Sequence, residues 1–266
     1  MKAVDLNDLD RLPGRRLAPE DTFRFRCHPD IECFNRCCRN LNLYLYPYDV
    51  LRLKNGLKIN SDQFLERHVD VVLRPGNHFP EVLLKMADNE ERTCPFLSPE
   101  GCRVYPDRPG TCRTFPVEQG QLFDDQGRPG AMLYFLRPPE FCLGPRESRQ
   151  WTLNAWFRDQ NAEKYNGHTA KWAAFKGLFH ADSGRPDPWR GQGPDSSQGK
   201  MAFMAVYNLD RFREFVFESS FRRRYRIPGP TLKKIKRDDS ELLKFGYQWV
   251  RLYLFGISTK VIRPFK

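Results

Sequence analysis

Eight cysteines, in two groups of four, are the residues of this chain whose type and spacing could do chemistry. The first group, Cys27, Cys33, Cys37 and Cys38, falls within "CHPDIECFNRCC", with the spacing C-x5-C-x3-C-C. The second, Cys94, Cys102, Cys112 and Cys142, is spaced C-x7-C-x9-C with 29 residues before the last. Soft thiolates are the ligands of zinc, copper(I) and iron–sulfur clusters, and a zinc ion or a cubane cluster takes four of them. Eight thiols therefore serve one site with spares or two full sites. Neighbouring side chains on an extended backbone point to opposite faces, so Cys37 and Cys38 are poorly placed to share one zinc ion. A sharp bend would put them on different irons of one cluster, or they would go to different sites. The paired C-x2-C knuckles of an ordinary zinc finger are absent.

Two redox chemistries fail on spacing. A radical S-adenosylmethionine cluster wants C-x3-C-x2-C, and Cys33 and Cys37 meet the first interval, but position 40 is Asn40. The C-x2-C of a thioredoxin-like dithiol is missing. Arg36, Arg39, Arg103 and Arg113 each adjoin a cysteine. Their charge, with donors from loop amides, would balance and tune a thiolate centre.

Composition supports metal ligation over disulfides. At 266 residues, 40% hydrophobic and 29% charged, the chain has the make-up of an ordinary soluble globular protein and needs no staples to fold. No apolar run approaches the roughly 20 residues of a membrane span. The opening "MKAVDLNDLDRLPGRRLAPEDTFRF" lacks the apolar stretch of a secretory signal. A cytoplasmic location is expected, where thiols stay reduced and free for metal.

The elements that must position these thiols are short. Residues 1–25 read as an N-terminal arm. After the first block, "LNLYLYP" alternates as a strand, "YDVLRLKNG" has helical spacing up to Gly56, and Ser61 is placed to cap "SDQFLERHV", whose Phe64, Leu65, His68 and Val69 form a packing face. "EVLLKM" and "AMLYFL" read as strands. Between them, prolines at 95, 99, 106, 109 and 116 forbid a long helix through the second cysteine block. From residue 148 cysteine disappears and aromatic-rich helical patterns begin, with Trp156 and Gln160, then Trp172, Phe175 and Phe179, on helix faces. Residues 182–200 read as a loop and "MAFMAVYN" as a strand; Asp210 is placed to cap "RFREFVFESSFRRR", and Asp239 or Ser240 "ELLKFGYQWVRLYLF". The expected fold is α+β, with a small sheet and cysteine-rich metal-binding loops in the first half and packed helices in the second. The expected division is the arm, a cysteine-cluster domain over 26–147 and a mainly helical region over 148–266.

The second block, with "CPFL", "GCRVY", "RP" and "CRTFP", preceded by a cluster ending in CC after "FRC", resembles the YkgJ-like cysteine cluster family. That family is described as zinc- or iron-chelating and includes flagellin lysine N-methylases. The resemblance covers roughly residues 25–144, and the first block here is wider than the family's C-x2-C-x2-C-C. It implies metal-ligand roles for Cys27, Cys33, Cys37, Cys38, Cys94, Cys102, Cys112 and Cys142, as an iron–sulfur cluster or a zinc or iron ion. The leading expectation is a metal-binding protein with a structural or electron-transfer role. The resemblance also implies an alternative, protein lysine methylation with S-adenosylmethionine, although "GQGPDSSQG" lies in a linker and not between a strand and a helix. A third class, nucleic-acid binding, is motivated by the net charge of +11 and by "FRRRYR" and "KKIKR", with Phe221 and Tyr225 as stacking aromatics. A protein partner is compatible with each of these readings, and none involves a membrane span.

Overall fold

The computed structural model describes residues 2–4, 13–74, 78–123, 129–180 and 185–265. Residues 5–12 of the expected arm and 182–184 of the expected loop lie outside them. The chain divides into two compact units, each built from two stretches: residues 1–44 with 84–178, and 45–83 with 179–266. Small sheets and short helices in the first unit, with most helices late in the chain, make the fold α+β. Among the described residues no helix is long and apolar enough to cross a membrane.

The first unit is organised by a four-stranded sheet in the order β1 (Lys2–Val4), β9 (Val117–Phe123), β10 (Pro129–Leu136), β2 (Arg15–Arg16). β9 and β10 run antiparallel, Val117 opposite Leu136, and β1 joins β9 in parallel. β3 (Thr22–Arg24) pairs antiparallel with β11 (Gln150–Thr152), so the chain just before the first cysteine is fixed against the chain just after the last. An apolar cluster forms where they meet: Leu17, Phe23, Phe25, Val117, Trp151, Leu153, Trp156 and Phe157. The rings of Phe23, Phe25 and Trp151 each meet Trp156 at a steep angle, 5.2–6.1 Å between centres. Trp156 sits on α4 (Leu153–Asp159), capped by the Thr152 hydroxyl, which accepts the Ala155 amide. The cysteine loops hang from this frame.

The second unit is helical. α1 (Pro47–Gly56) starts with proline in its first turn and stops at Gly56, as its spacing requires. α2 (Ser61–His68) begins one residue earlier than expected: Asn60 is the cap, and its side chain and that of Gln63 close a reciprocal pair. Ser61 is not the cap because both its amide and its hydroxyl donate to Asp210. That also removes Asp210 from the expected capping role. Asn208 caps α7 (Leu209–Glu218), and Asp210 instead holds the buried Lys54 ammonium at 3.0 Å. Asp238 rather than Asp239 caps α10 (Asp239–Phe255), accepting the amides of Ser240 and Glu241. The expected strand "MAFMAVYN" is α6 (Ser197–Tyr207), capped by Ser196. Its buried Ala202, Ala205 and Val206 recur at helical intervals, which a short apolar run does not distinguish from a strand. Phe212, Phe221 and Trp249 pack at 5.5–6.5 Å to close the core.

Candidate metal centre

All eight cysteines lie in the first unit, and all are free thiols. The first block is a tight coil: Asn35 takes a left-handed backbone (φ 63°), Arg36–Cys38 form one turn of 3-10 helix, and Asn40 is left-handed again (φ 48°). Asparagine tolerates that region better than most side chains. Within this coil the adjacent Cys37 and Cys38 side chains share a hydrogen bond. The outgoing strand then bridges to the second block: the Cys94 amide donates to the Cys38 carbonyl (2.8 Å), the Asn40 amide to the Arg92 carbonyl (2.9 Å), and Arg39 faces Thr93 across an antiparallel bridge. Arg39 fastens the crossing through Glu91 (3.0 Å) and the Asn35 carbonyl (2.7 Å). Blocks more than fifty residues apart in sequence thus meet.

Cys94 and Cys102 flank a hairpin of β7 (Leu97–Ser98) and β8 (Gly101–Cys102), in which Leu97 is opposite Cys102. Gly101 has φ +128°, a backbone that only glycine takes without strain, and Ser98 closes the turn by donating to the Gly101 carbonyl (3.0 Å). Cys112 is carried on α3 (Gly110–Thr114). Cys142 sits on a turn ending at Gly144, where a Cβ would come within 2.4 Å of the Phe25 ring. That close approach seats the Cys142 loop on the aromatic cluster beside Cys27.

The thiols sort into two neighbourhoods. Burial pushes the Cys27 thiol up to about 11, helped by the nearby sulfurs of Cys37, Cys33 and Cys142. Cys142 is raised by burial and by Cys33, with which it shares a hydrogen bond. On the other side, Cys38 is raised by its hydrogen bond to Cys37 and by burial, with Cys112 and Cys94 also facing it, while Cys37 is correspondingly lowered. Cys94 is raised by burial and by Cys102 and Cys37, and Cys102 by burial and by Cys37. Cys27, Cys33 and Cys142 lie on one side, Cys38, Cys94, Cys102 and Cys112 on the other, and Cys37 faces thiols of both. Among the described residues no three His, Cys, Asp or Glu side chains converge tightly enough to form a closed coordination sphere.

Hydrogen bonds to sulfur come from the backbone rather than from the flanking arginines. The Phe96 amide donates to Cys94, Val104 to Cys102 and Gly144 to Cys142, in each case two residues on, and Leu143 donates to Cys33 at 3.2 Å. Such donors favour the thiolate over the thiol. Arg36 lies over the Phe141 ring and Arg103 donates to the Pro95 carbonyl. Sequence reading missed Arg108, which with Arg113 is buried (8% and 4% exposed). Their hydrogen bonds go to neutral groups: Arg108 to the Tyr105 carbonyl and the Gln160 side chain, Arg113 to the carbonyls of Gln160 and Pro106 and to Tyr165. Burial and the neighbouring Arg113 disfavour the Arg108 charge, while Tyr105, Cys102 and Cys112 favour it. Buried guanidinium is costly without an opposing charge, and Cys102 and Cys112 would supply one as thiolates. An all-sulfur donor set with amide donors and buried cations beside it suits a thiolate-bound metal.

Residues 26–143 match the model of the CxxCxxCC family, described as a "putative zinc- or iron-chelating domain". The matched segment is the cysteine-bearing one, and the family is the one the sequence resembles. No curated protein and no solved structure matches the chain.

Proposed function

We propose that residues 26–143 bind metal through two four-thiol sets, Cys27, Cys33, Cys37, Cys142 and Cys38, Cys94, Cys102, Cys112, and that the bound metal holds the proline-rich loops in one conformation. The observation that carries this is the aim of four loop amides at four thiol sulfurs drawn from both blocks. A thiol that merely fills space needs no donor, whereas a thiolate ligand is stabilised by one. Closing a loop of this length costs only a few kcal/mol of chain entropy, and a structural zinc ion in a small finger contributes roughly 10–16 kcal/mol. The finer reading is iron–sulfur: the split of adjacent Cys37 and Cys38 between the sets spaces their Cα atoms by about 3.8 Å, so two centres would sit close enough to exchange electrons. When bound, such a cluster supplies one-electron chemistry. The protein's own residues orient the sulfurs, and Arg108 and Arg113 offset their charge. Lysine methylation and S-adenosylmethionine rest on the resemblance alone.

The test is anaerobic purification followed by metal analysis and a visible spectrum. The iron–sulfur reading predicts a brown protein with iron and acid-labile sulfide. A colourless, zinc-loaded protein would keep chelation and refute the cluster, and a metal-free protein would refute both.

A further inference from the structure

The net charge is not shared between the units. The first contains 21 Lys and Arg against 19 Asp and Glu, and the second 23 against 14. Within the second, residues 221–265 alone carry 12 basic and 3 acidic residues, which equals the unit's whole excess of +9. All three acids are already engaged: Asp238 caps α10, Asp239 binds Arg213, and Glu241 binds Lys244. The exposed arginines Arg222, Arg223, Arg224, Arg226 and Arg263 are left without a carboxylate partner among the described residues. So are the exposed Lys233, Lys234 and Lys236 on α9 (Gly229–Arg237), whose one buried residue, Ile235, faces inward.

The fold gathers these charges at a cost. β12 (Tyr225–Arg226) pairs antiparallel with β13 (Arg263–Pro264), placing Arg226 directly opposite Arg263. Like charges opposite each other in a ladder are destabilising. The Phe265 amide then donates to the Arg224 carbonyl at 2.9 Å, which sets a 53% exposed phenyl ring beside the arginine run. Phe221, one of the aromatics expected to be free for stacking, is instead 1% exposed and in the core, with Tyr225 packed on it at 4.8 Å. Phe265 takes that place.

We propose that the β12–β13 ribbon, with Phe265 and the basic face of α9, is a binding surface for single-stranded nucleic acid. Planar guanidinium groups match phosphate bidentately, and an exposed aromatic among them gives a base a stacking platform. A membrane surface would call for an amphipathic helix with its apolar side open, whereas Phe265 is the one strongly exposed large apolar side chain of residues 221–265 among the described residues.

The experiment is fluorescence anisotropy on the full chain with a labelled oligouridylate of about 20 nucleotides, long enough for the usual site sizes. Log affinity should fall linearly with log salt between about 50 and 200 mM. Arg226→Gln with Arg263→Gln should weaken binding about tenfold and flatten that slope by about 1.4, at about 0.7 for each phosphate that a single strand then leaves unneutralised. Phe265→Ala should weaken binding at least about fivefold with the slope unchanged. Circular dichroism checks that these exposed variants fold. The proposal is overturned if no salt-dependent binding is seen at about 50 mM, or if folded variants bind as the wild type does. It also falls if polyglutamate, vesicles of equal parts phosphatidylserine and phosphatidylcholine, or a duplex of the same length binds as tightly as the single strand.

Discussion

Of the twelve largest fully buried side chains among the described residues, ten lie in the second unit and two, Leu153 and Trp172, in the first. The second unit is closed by Trp189, Trp249, Tyr207 and several phenylalanines on packed helices, enough apolar burial to order it without a ligand. The first unit has a good apolar cluster around Trp156, but its residues 94–116 form only one two-stranded hairpin and short helical turns. There the guanidiniums of Arg108 and Arg113 are buried beside Phe96, Val104 and Thr114, Cys94 and Cys102 are half-buried and Cys112 is exposed, and a guanidinium rewards burial only when charge meets charge. On the proposed function, one chain uses two means of cohesion, and the cysteine segment is the part that depends on bound metal.

The largest effect expected is from removing the metal. A strong chelator should abolish amide protection in residues 94–116, a loss on the order of 10 kcal/mol of metal-linked folding energy, while α6, α7 and α10 keep theirs. Hydrogen exchange read peptide by peptide measures both. Equal loss in both units would break the contrast.

Truncating the other core should do the reverse. Trp249→Ala removes a 1% exposed indole and should cost about 3–5 kcal/mol of stability by denaturant melts, with metal content unchanged. A smaller loss, about 2–3 kcal/mol, is expected for Asp210→Ala, which leaves the buried Lys54 ammonium only the more distant Asp239 at 3.7 Å. Burial alone would raise the Asp210 carboxyl, but the Ser61 amide and Lys54 outweigh it and hold the carboxyl below its usual range. The stabilisation is therefore complete above about pH 4, the ordinary aspartate value, and is lost as pH falls through the depressed one. Acid melts of Asp210→Asn should lack that component. The smallest effect is at a cap: Asp238→Ala should cost about 1 kcal/mol, all of it in the second unit.

How far the sequence disclosed this depends on whether the signal was local. The cysteine spacing, the stop at Gly56 and the proline-bound block are local, and each matches an observed feature. The arrangement of the eight thiols is not, because it follows from the left-handed turns at Asn35 and Asn40 and from the bridge that brings Cys94 to Cys38. Caps were displaced by one or two residues where a better acceptor stood earlier, at Asn60, Asn208 and Asp238, and where Asp210 was claimed by a lysine 156 positions away. Arg113 stands out by its place beside Cys112, but Arg108 looks like any surface arginine in sequence; only burial distinguishes it. Nothing local says that residues 45–83 pack with 179–266, since that pairing is made by helix faces far apart in the chain.

The most direct test of metal-dependent cohesion is the metal content of anaerobically purified Cys112→Ser beside Cys142→Ser. If each thiol set holds its own centre, each variant loses the metal of one set and keeps that of the other, and the melting of the first unit falls while the second is unmoved. Full metal content in either variant, or an unchanged melt of the first unit, would contradict the account.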